Sequence, residues 1–295
     1  MPFRLIKGAF HLVGKTKTGK PQGFRPDGDS IQFKPRSRSH LDALPRVGRT
    51  YKLSSIGSVN LRFEGVDALE LHYNSSRQPA PHAEAARDFL TGLIGMNPVA
   101  YTESGIQVKP PANDGQAGFI LSKQLEVYGR PVSFVFLGDY PARDGAEVRL
   151  TPSLLRRSLN YRLLIHGHAY PLFYDTLYHD LRAELSRAAV TARRNRRGVW
   201  ASDGSRGVTI SQPSDLVTRF LIFPKLFRRL KDYFDDHVRL SDATFGRWLD
   251  DNDENDEVWV LPEWNRTHFD NIVRIQGKRI GLLRDPEDLV FVSRR

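Results

Sequence analysis

The chain has 295 residues, 40% of them hydrophobic and 26% charged, with a net charge of +10; that is enough apolar material for a core in one large domain or two smaller ones. The lack of cysteine excludes disulfides and thiolate metal sites, and no stretch approaches the roughly 18 apolar residues of a membrane span. The start, Met1 to Phe10, has no sustained apolar run followed by a small-residue cleavage site, so the expected location is the cytoplasm, away from membranes.

Residues 1–70 read as β structure. Phe10 to Val13 runs into a turn rich in Gly, Lys and Thr, and Ser30 to Lys34 alternates apolar and polar residues as a half-buried strand does. Val59 to Phe63 alternates again, which sets Arg62 on the face opposite Leu61 and Phe63. Arg36 to Val47 is polar, interrupted by proline, and reads as a loop. The period then changes: Ala85, Phe89, Leu93 and Ile94 share one helical face within 81–96, with Pro81 in the first turn. Pro110-Pro111 and Asn113-Asp-Gly signal a loop, and Val132 to Leu137 a strand. Ser153 to Tyr170 and Thr176 to Arg197 have helical spacing. The second helix buries Leu177, Leu181, Leu185 and Ala188; its arginine-rich end suits a helix C-terminus, with Gly198 just past the end and Trp200 as a packing residue.

Ser202 to Ser214 is rich in Ser and Gly, and the composition shifts beyond it. Leu216, Phe220, Phe223, Phe227, Leu230 and Phe234 keep a helical spacing, with Pro224 as a kink or break. An acidic run from Asp250 to Glu257 precedes a short strand, and three more short β segments are expected near Asn271–Ile275, Lys278–Leu283 and Asp288–Ser293. The expected fold is α+β with a mainly β-barrel core: a domain over 1–204, a linker over 205–214, and a small C-terminal α+β domain over 215–295.

The positive charge is concentrated. From residue 205 onward there are 15 Lys and Arg and 16 Asp and Glu, a net of −1, so the first 204 residues carry +11. A basic surface draws in polyanions, and DNA or RNA is the partner class it suggests; a basic protein with no such partner is the plain alternative. The same region holds the run Arg62-Phe-Glu-Gly-Val-Asp67-Ala-Leu-Glu70, preceded by the turn Asp27-Gly28-Asp29-Ser30 and followed by Tyr128-Gly129-Arg130. Cleaving a phosphodiester requires an electrophilic clamp, an activated water and alignment. Asp29 and Asp67 are short carboxylates suited to a hard divalent cation. Glu70 is placed to orient or deprotonate a water, and Arg62 and Arg130 can each donate paired hydrogen bonds to phosphate oxygens without losing charge. Taken singly, each is more often a turn residue or a solvated side chain.

In this order the blocks resemble the staphylococcal nuclease family, over about residues 8–202. The Asp27–Ser30 turn resembles its Asp-Gly-Asp-Thr, Arg62 to Glu70 its Arg-x-x-x-(Ile/Val)-Asp-(Ala/Thr)-Pro-Glu, and Tyr128-Gly129-Arg130 its Tyr-Gly-Arg. Asn160-Tyr-Arg-Leu-Leu-Ile-His-Gly167-His-Ala169 is similar to its Asn-x-x-Leu-Val-x-x-Gly-x-Ala helix, and Ala189 to Trp200 to its closing helix. The resemblance implies a five-stranded OB-type barrel with packed helices and Ca2+-dependent hydrolysis of DNA, RNA or both, leaving 3′-phosphate ends. It implies that Asp29, Asp67 and the main-chain carbonyl of Ala68 hold Ca2+. Glu70 would activate the water, and Arg62 and Arg130 would stabilise the transition state. The alternative is a non-catalytic nucleic-acid-binding module of the Tudor-nuclease kind. Leu69 stands where the family has proline, which removes a rigid element from the loop that aims Glu70, and Tyr101 to Ser122 has no counterpart in compact members.

Other groups have a functional and a structural reading. The basic turn Lys15 to Lys20 offers Lys20 to phosphate or stands solvated. Tyr170, Phe173, Tyr174 and Tyr178 either pack in the core or, Tyr170 and Tyr174 above all, stack bases at a barrel rim. His166 and His168 point to different sides of a helix and do not share a metal. The acidic run at 250–257 lacks the glycine of an EF-hand loop and reads as solvated. The apolar helix at 216–234 either packs at home or docks a protein partner.

Overall fold

The structure, a computed structural model, describes residues 2–237 and 239–293. The chain forms two compact units, one comprising the chain up to Glu64 with Ala85–Leu163, the other Gly65–Glu84 with Leu164–Ser293. Among the described residues, no helix is long and apolar enough to cross a membrane.

The first unit is built on a nearly closed, barrel-shaped sheet of six strands, one more than expected. In hydrogen-bonded order these are Val59–Asn60, Gln32–Pro35, Phe3–His11, Gln116–Leu125, Pro131–Leu137 and Arg62–Phe63, with Glu147–Val148 added to the start of Phe3–His11. The two ends of this order are neighbours in sequence. Asn60 pairs with Gln32, Arg62 pairs in parallel with Val132, and only the buried Leu61 lies between. One short stretch therefore serves both edges of the sheet, which protects them from pairing elsewhere.

The central pair explains the strand that pattern reading overlooks. Leu5 and Ile6 are adjacent and both fully buried, as are Ile120 and Leu121 on the paired strand. With both faces covered, the alternation that marks a half-buried strand is absent. Aromatic side chains fill the barrel unit, among them Phe3 against Phe134 at 5.7 Å and Phe10 against Phe33 at 5.3 Å between ring centres. Asn160, fully buried, ties its helix to the sheet: its side-chain amide donates to the Glu64 and Ser133 carbonyls and its Oδ1 accepts from the Val135 N–H.

The second unit packs three main helices, His179–Arg194, Pro224–Asp236 and Asp242–Asp251, with short sheets around one core. The strand Leu289–Phe291 pairs with both Phe173–Tyr174 and Glu257–Val260, and Val273–Gln276 forms a hairpin with Arg279–Leu282. Within 205–214, Val208–Thr209 is a strand on Arg279–Leu282 and Ser205 is fully buried. The helical stretch at 216–234 is broken as Pro224 requires: Asp215–Thr218 ends before it and Pro224 opens the next helix. That helix turns Leu226, Phe227, Leu230 and Tyr233 into the core shared with Leu69, Leu71, Tyr170 and Trp200. Its apolar face is therefore packed within this chain itself, the structural one of its two readings. The helix His179–Arg194 ends earlier than expected: Arg196 stands just past it in the left-handed region with φ at 51°, and Gly198, also left-handed with φ at 52°, opens a 3-10 turn.

The acidic run is solvated only in its first part: Asp250 to Asp253 are exposed, whereas the Asp256 side chain, 8% exposed, receives Lys225 Nζ at 2.9 Å and Arg229 Nη2 at 2.6 Å, and Arg229 also pairs with Glu254. Burial alone would raise the Asp256 carboxyl, but the two cations outweigh it and hold it at about 2. The native form thus binds this proton less readily than the unfolded chain, so the stabilisation is complete above about pH 4 and disappears as pH falls through 2. The free energy of unfolding is expected to drop by about 2 kcal/mol more in the native chain than in Asp256→Asn over that window, measured by urea denaturation; parallel profiles would refute it.

Candidate functional site

The carboxylate pair lies in the second unit. Val66–Asp67 pairs antiparallel with Tyr170–Pro171, Asp67 opposite Tyr170. Gly65 leads into it with φ at 75°, and a Cβ there would meet Leu185 Cδ1 at 2.5 Å, so both conformation and space call for glycine. After Asp67 the chain turns through Ala68, and Leu69 and Leu71 drop into the core, both essentially without exposure. Leu69 is thus a hydrophobic anchor for the turn. A second restraint is Gln78: Glu70 N–H donates to its side-chain oxygen at 3.2 Å, Gln78 N–H donates to the Glu70 carbonyl at 2.8 Å, and its amide donates to the Ile222 carbonyl at 2.8 Å. The backbone of Glu70 is held on both sides.

The side chains of Asp67 and Glu70 meet on Arg228, from the helix Pro224–Asp236. Arg228 donates from Nη1 and Nη2 to the two oxygens of Asp67, at 3.2 and 2.9 Å, and from Nη1 to Glu70 Oε1. Asp67 is 2% exposed, Glu70 18% and Arg228 17%. Burial by itself would lower the Arg228 pKa, but Asp67 and Glu70 more than reverse this and raise it well above the usual guanidinium value. One helical turn on, Asp232 accepts from Tyr73 Oη and from Asn74 Nδ2, so the same helix face is tied to the loop that follows Glu70. Ala68 is buried beside this pair.

The other expected residues belong to the first unit. Asp29 sits in a turn in which Asp27 N–H donates to the Ser30 carbonyl and Gly28 N–H to Asp27 Oδ1, and its own carbonyl accepts from Phe63 N–H at 3.3 Å. Arg62 lies between the buried Leu61 and Phe63 and pairs with Val132, so Arg62 and Arg130 come from neighbouring parallel strands or their ends. Arg130 donates from Nε to Glu126 Oε1 at 3.2 Å, and its N–H reaches the same oxygen at 3.1 Å. Gly129 makes this turn possible with φ at 85° and stands where a Cβ would meet the Thr50 carbonyl oxygen at 2.3 Å. Lys20 is exposed, beside the strand Pro21–Gly23.

Tyr170 is a core residue: fully buried, it donates to Asp203 and packs on Trp200 at 4.8 Å and Phe223 at 6.0 Å, which leaves its ring no face for a base. Tyr174 is half-buried against Phe291, with the Lys225 ammonium 5.8 Å from its ring centre. Sequence reasoning missed three residues. Glu126 meets Arg130 across the turn between the strands Gln116–Leu125 and Pro131–Leu137, where no helical spacing marks the pair; Gln78 and Arg228 carried no local signal.

The fit of a metal to these donors can be judged directly. Among the described residues no group of three or more His, Asp or Glu is placed to hold a metal ion, and the two carboxylates nearest to such a role already share a guanidinium. As arranged, Asp67 and Glu70 do not fit a divalent cation. No family model matches the chain, and no curated protein matches it.

Gln78→Ala removes the partners of a Glu70 N–H and of a buried carbonyl, and is expected to lower stability by roughly 3 kcal/mol in urea unfolding. Gln78→Met, which keeps the volume but not the hydrogen bonds, should lose a similar amount; a Met variant as stable as the native chain would show that packing alone holds the turn.

Proposed function

We propose that this chain is a phosphodiesterase of the staphylococcal nuclease type, its first unit an OB-type barrel, acting on DNA, RNA or both. The observation that carries the reading is the convergence of Asp67 and Glu70, three residues apart on one turn, upon a single positive charge. The turn is shaped to concentrate negative charge around a cation, as a site that handles phosphate through a cation requires. In the first unit, Arg62 lies on a strand paired with the one that Arg130 immediately precedes, two guanidinium groups of the kind that bind phosphoryl oxygens.

In this reading Glu70 takes a proton from water, whose oxygen attacks phosphorus. The P–O5′ bond breaks and the departing oxygen takes a proton from solvent, leaving a 3′-phosphate and a 5′-hydroxyl; Arg62 and Arg130 are the guanidinium groups the resemblance assigns to the phosphoryl oxygens. Ca2+ is the cofactor the resemblance implies; while Arg228 holds Asp67 and Glu70 those donors do not fit it, and the residues above are the part of the chemistry this chain supplies itself. The same contact favours a second reading, in which Arg228 permanently occupies the pair and the protein binds nucleic acid without cutting it.

The test is cleavage of single- and double-stranded DNA and RNA over a range of Ca2+ by the full chain, by Arg228→Ala and by Glu70→Gln. Cleavage that leaves 3′-phosphate ends and falls by about 100-fold or more in Glu70→Gln is expected. Oligonucleotide binding without cleavage by either the native chain or Arg228→Ala would select the second reading.

A further inference from the structure

We infer that Arg228 is a built-in cation that competes with a divalent metal for Asp67 and Glu70, so that the turn stays closed to metal until the arginine withdraws. The inference concerns cation binding at the proposed site and rests on the reading of that turn as phosphodiesterase machinery. Geometry carries it. Arg228 spans both oxygens of Asp67 and reaches Glu70 with the same Nη1, so it faces the oxygen atoms a metal ion would need from these two side chains. The helix that carries it is pinned by Asp232 to Tyr73 and Asn74 on the turn side and by Lys225 and Arg229 to Asp256 on another face.

The contest is between charge and tethering. Two carboxylates present −2 to an arginine that brings +1, so a divalent ion matches their charge better. Arginine answers with attachment to the same folded unit, which gives it a high effective concentration that free metal must overcome. The guanidinium is also more weakly hydrated than an ammonium and fits a carboxylate with two parallel hydrogen bonds. Withdrawal leaves two poorly exposed carboxylates without the cation they share, an arrangement that is unfavourable without a replacement cation. The outcome is an exchange of one cation for another rather than an empty intermediate.

Calorimetric titration with Ca2+, and the Ca2+-induced shift in Tm, measure this without reference to cleavage. Relative to the native full chain, Arg228→Gln is expected to bind Ca2+ roughly 5- to 150-fold more tightly, the range of ordinary site-to-site coupling, and to show the larger thermal shift. Arg228→Lys keeps a tethered positive charge and should remain near the native affinity. Adding Glu70→Gln to Arg228→Gln should abolish the gain. Equal Ca2+ affinity in the native chain and Arg228→Gln, or a gain that survives loss of the Glu70 charge, overturns the inference. If Arg228→Gln unfolds, recovery of its fold on adding Ca2+ supports competition, and failure to recover with Ca2+ counts against it. Tighter Ca2+ binding without cleavage would keep the competition and remove the nuclease reading; cleavage by a native chain that already binds Ca2+ as well as Arg228→Gln would do the reverse.

Discussion

Asp67 ends its strand with a carboxylate that water scarcely reaches, and the corner of the molecule around it is arranged to answer that charge. An ionised carboxylate in such surroundings is tolerated only if it is paired and hydrogen-bonded. Arginine is the side chain best able to do this from a distant element, because its planar fork meets both oxygens at once. The demand does not stop at Asp67. Drawing Glu70 onto the same guanidinium fixes the direction in which the turn leaves the strand, and the Gln78 hydrogen bonds hold the backbone in that direction. Such a triad contributes little to net stability compared with an apolar cluster of the same volume, yet removing one member is costly. Its value must therefore be sought in what the charges do.

The barrel of the first unit obeys a different constraint. Its sheet nearly closes because a single stretch, 59–63, pairs on one side through Asn60 and on the other through Arg62. Leu61 is the hinge between the two pairings and is fully buried. The alternation that buries Leu61 and Phe63 also determines where Arg62 stands, so the position of a proposed phosphate ligand is set by the same packing that closes the sheet. Arg130 is oriented differently: a local turn built on Gly129 and Glu126 presents it beside the strand that pairs with Arg62. One cation is placed by the core and the other by a hydrogen-bonded turn.

What could be read in the sequence divides along the same physical lines. Local regularities were legible: the alternation at Val59 to Phe63, the apolar period of the helix at 179–194, the break at Pro224 and the order of charged residues from Arg62 to Glu70. Where both faces of a strand are buried, as at Gln116–Leu125, no period survives to be recognised. Pairings between distant residues were also silent. Leu69 looked like the loss of a rigid proline, and only packing shows it to be an anchor in the core. Asp256 and its acidic neighbours looked like a solvated loop because Lys225 and Arg229 lie roughly one turn apart on a helix some 30 residues earlier in the chain. Tyr170 resembled an aromatic rim residue because sequence order alone does not reveal that Trp200 and Phe223 enclose it.

The helix Pro224–Asp236 brings these strands of argument to one element. Its apolar spacing was correctly read as a buried face, but three of its four cations, at 225, 228 and 229, looked ordinary. Each of these three is matched to a carboxylate elsewhere in the second unit, Lys225 and Arg229 to Asp256, Arg228 to Asp67 and Glu70. Meanwhile Leu226, Phe227 and Leu230 share a core with Leu69 and Leu71, the residues that flank Glu70. The hydrophobic contacts and the ion pairs thus act on the same turn from the same helix, one holding its backbone in place and the other meeting its charge. A chain ended before this helix would expose the apolar side chains on either side of Glu70 at the same time as it removed the cation in front of it. The residues after 204 are for that reason part of the candidate site itself, and any account of what Asp67 and Glu70 bind has to include Arg228.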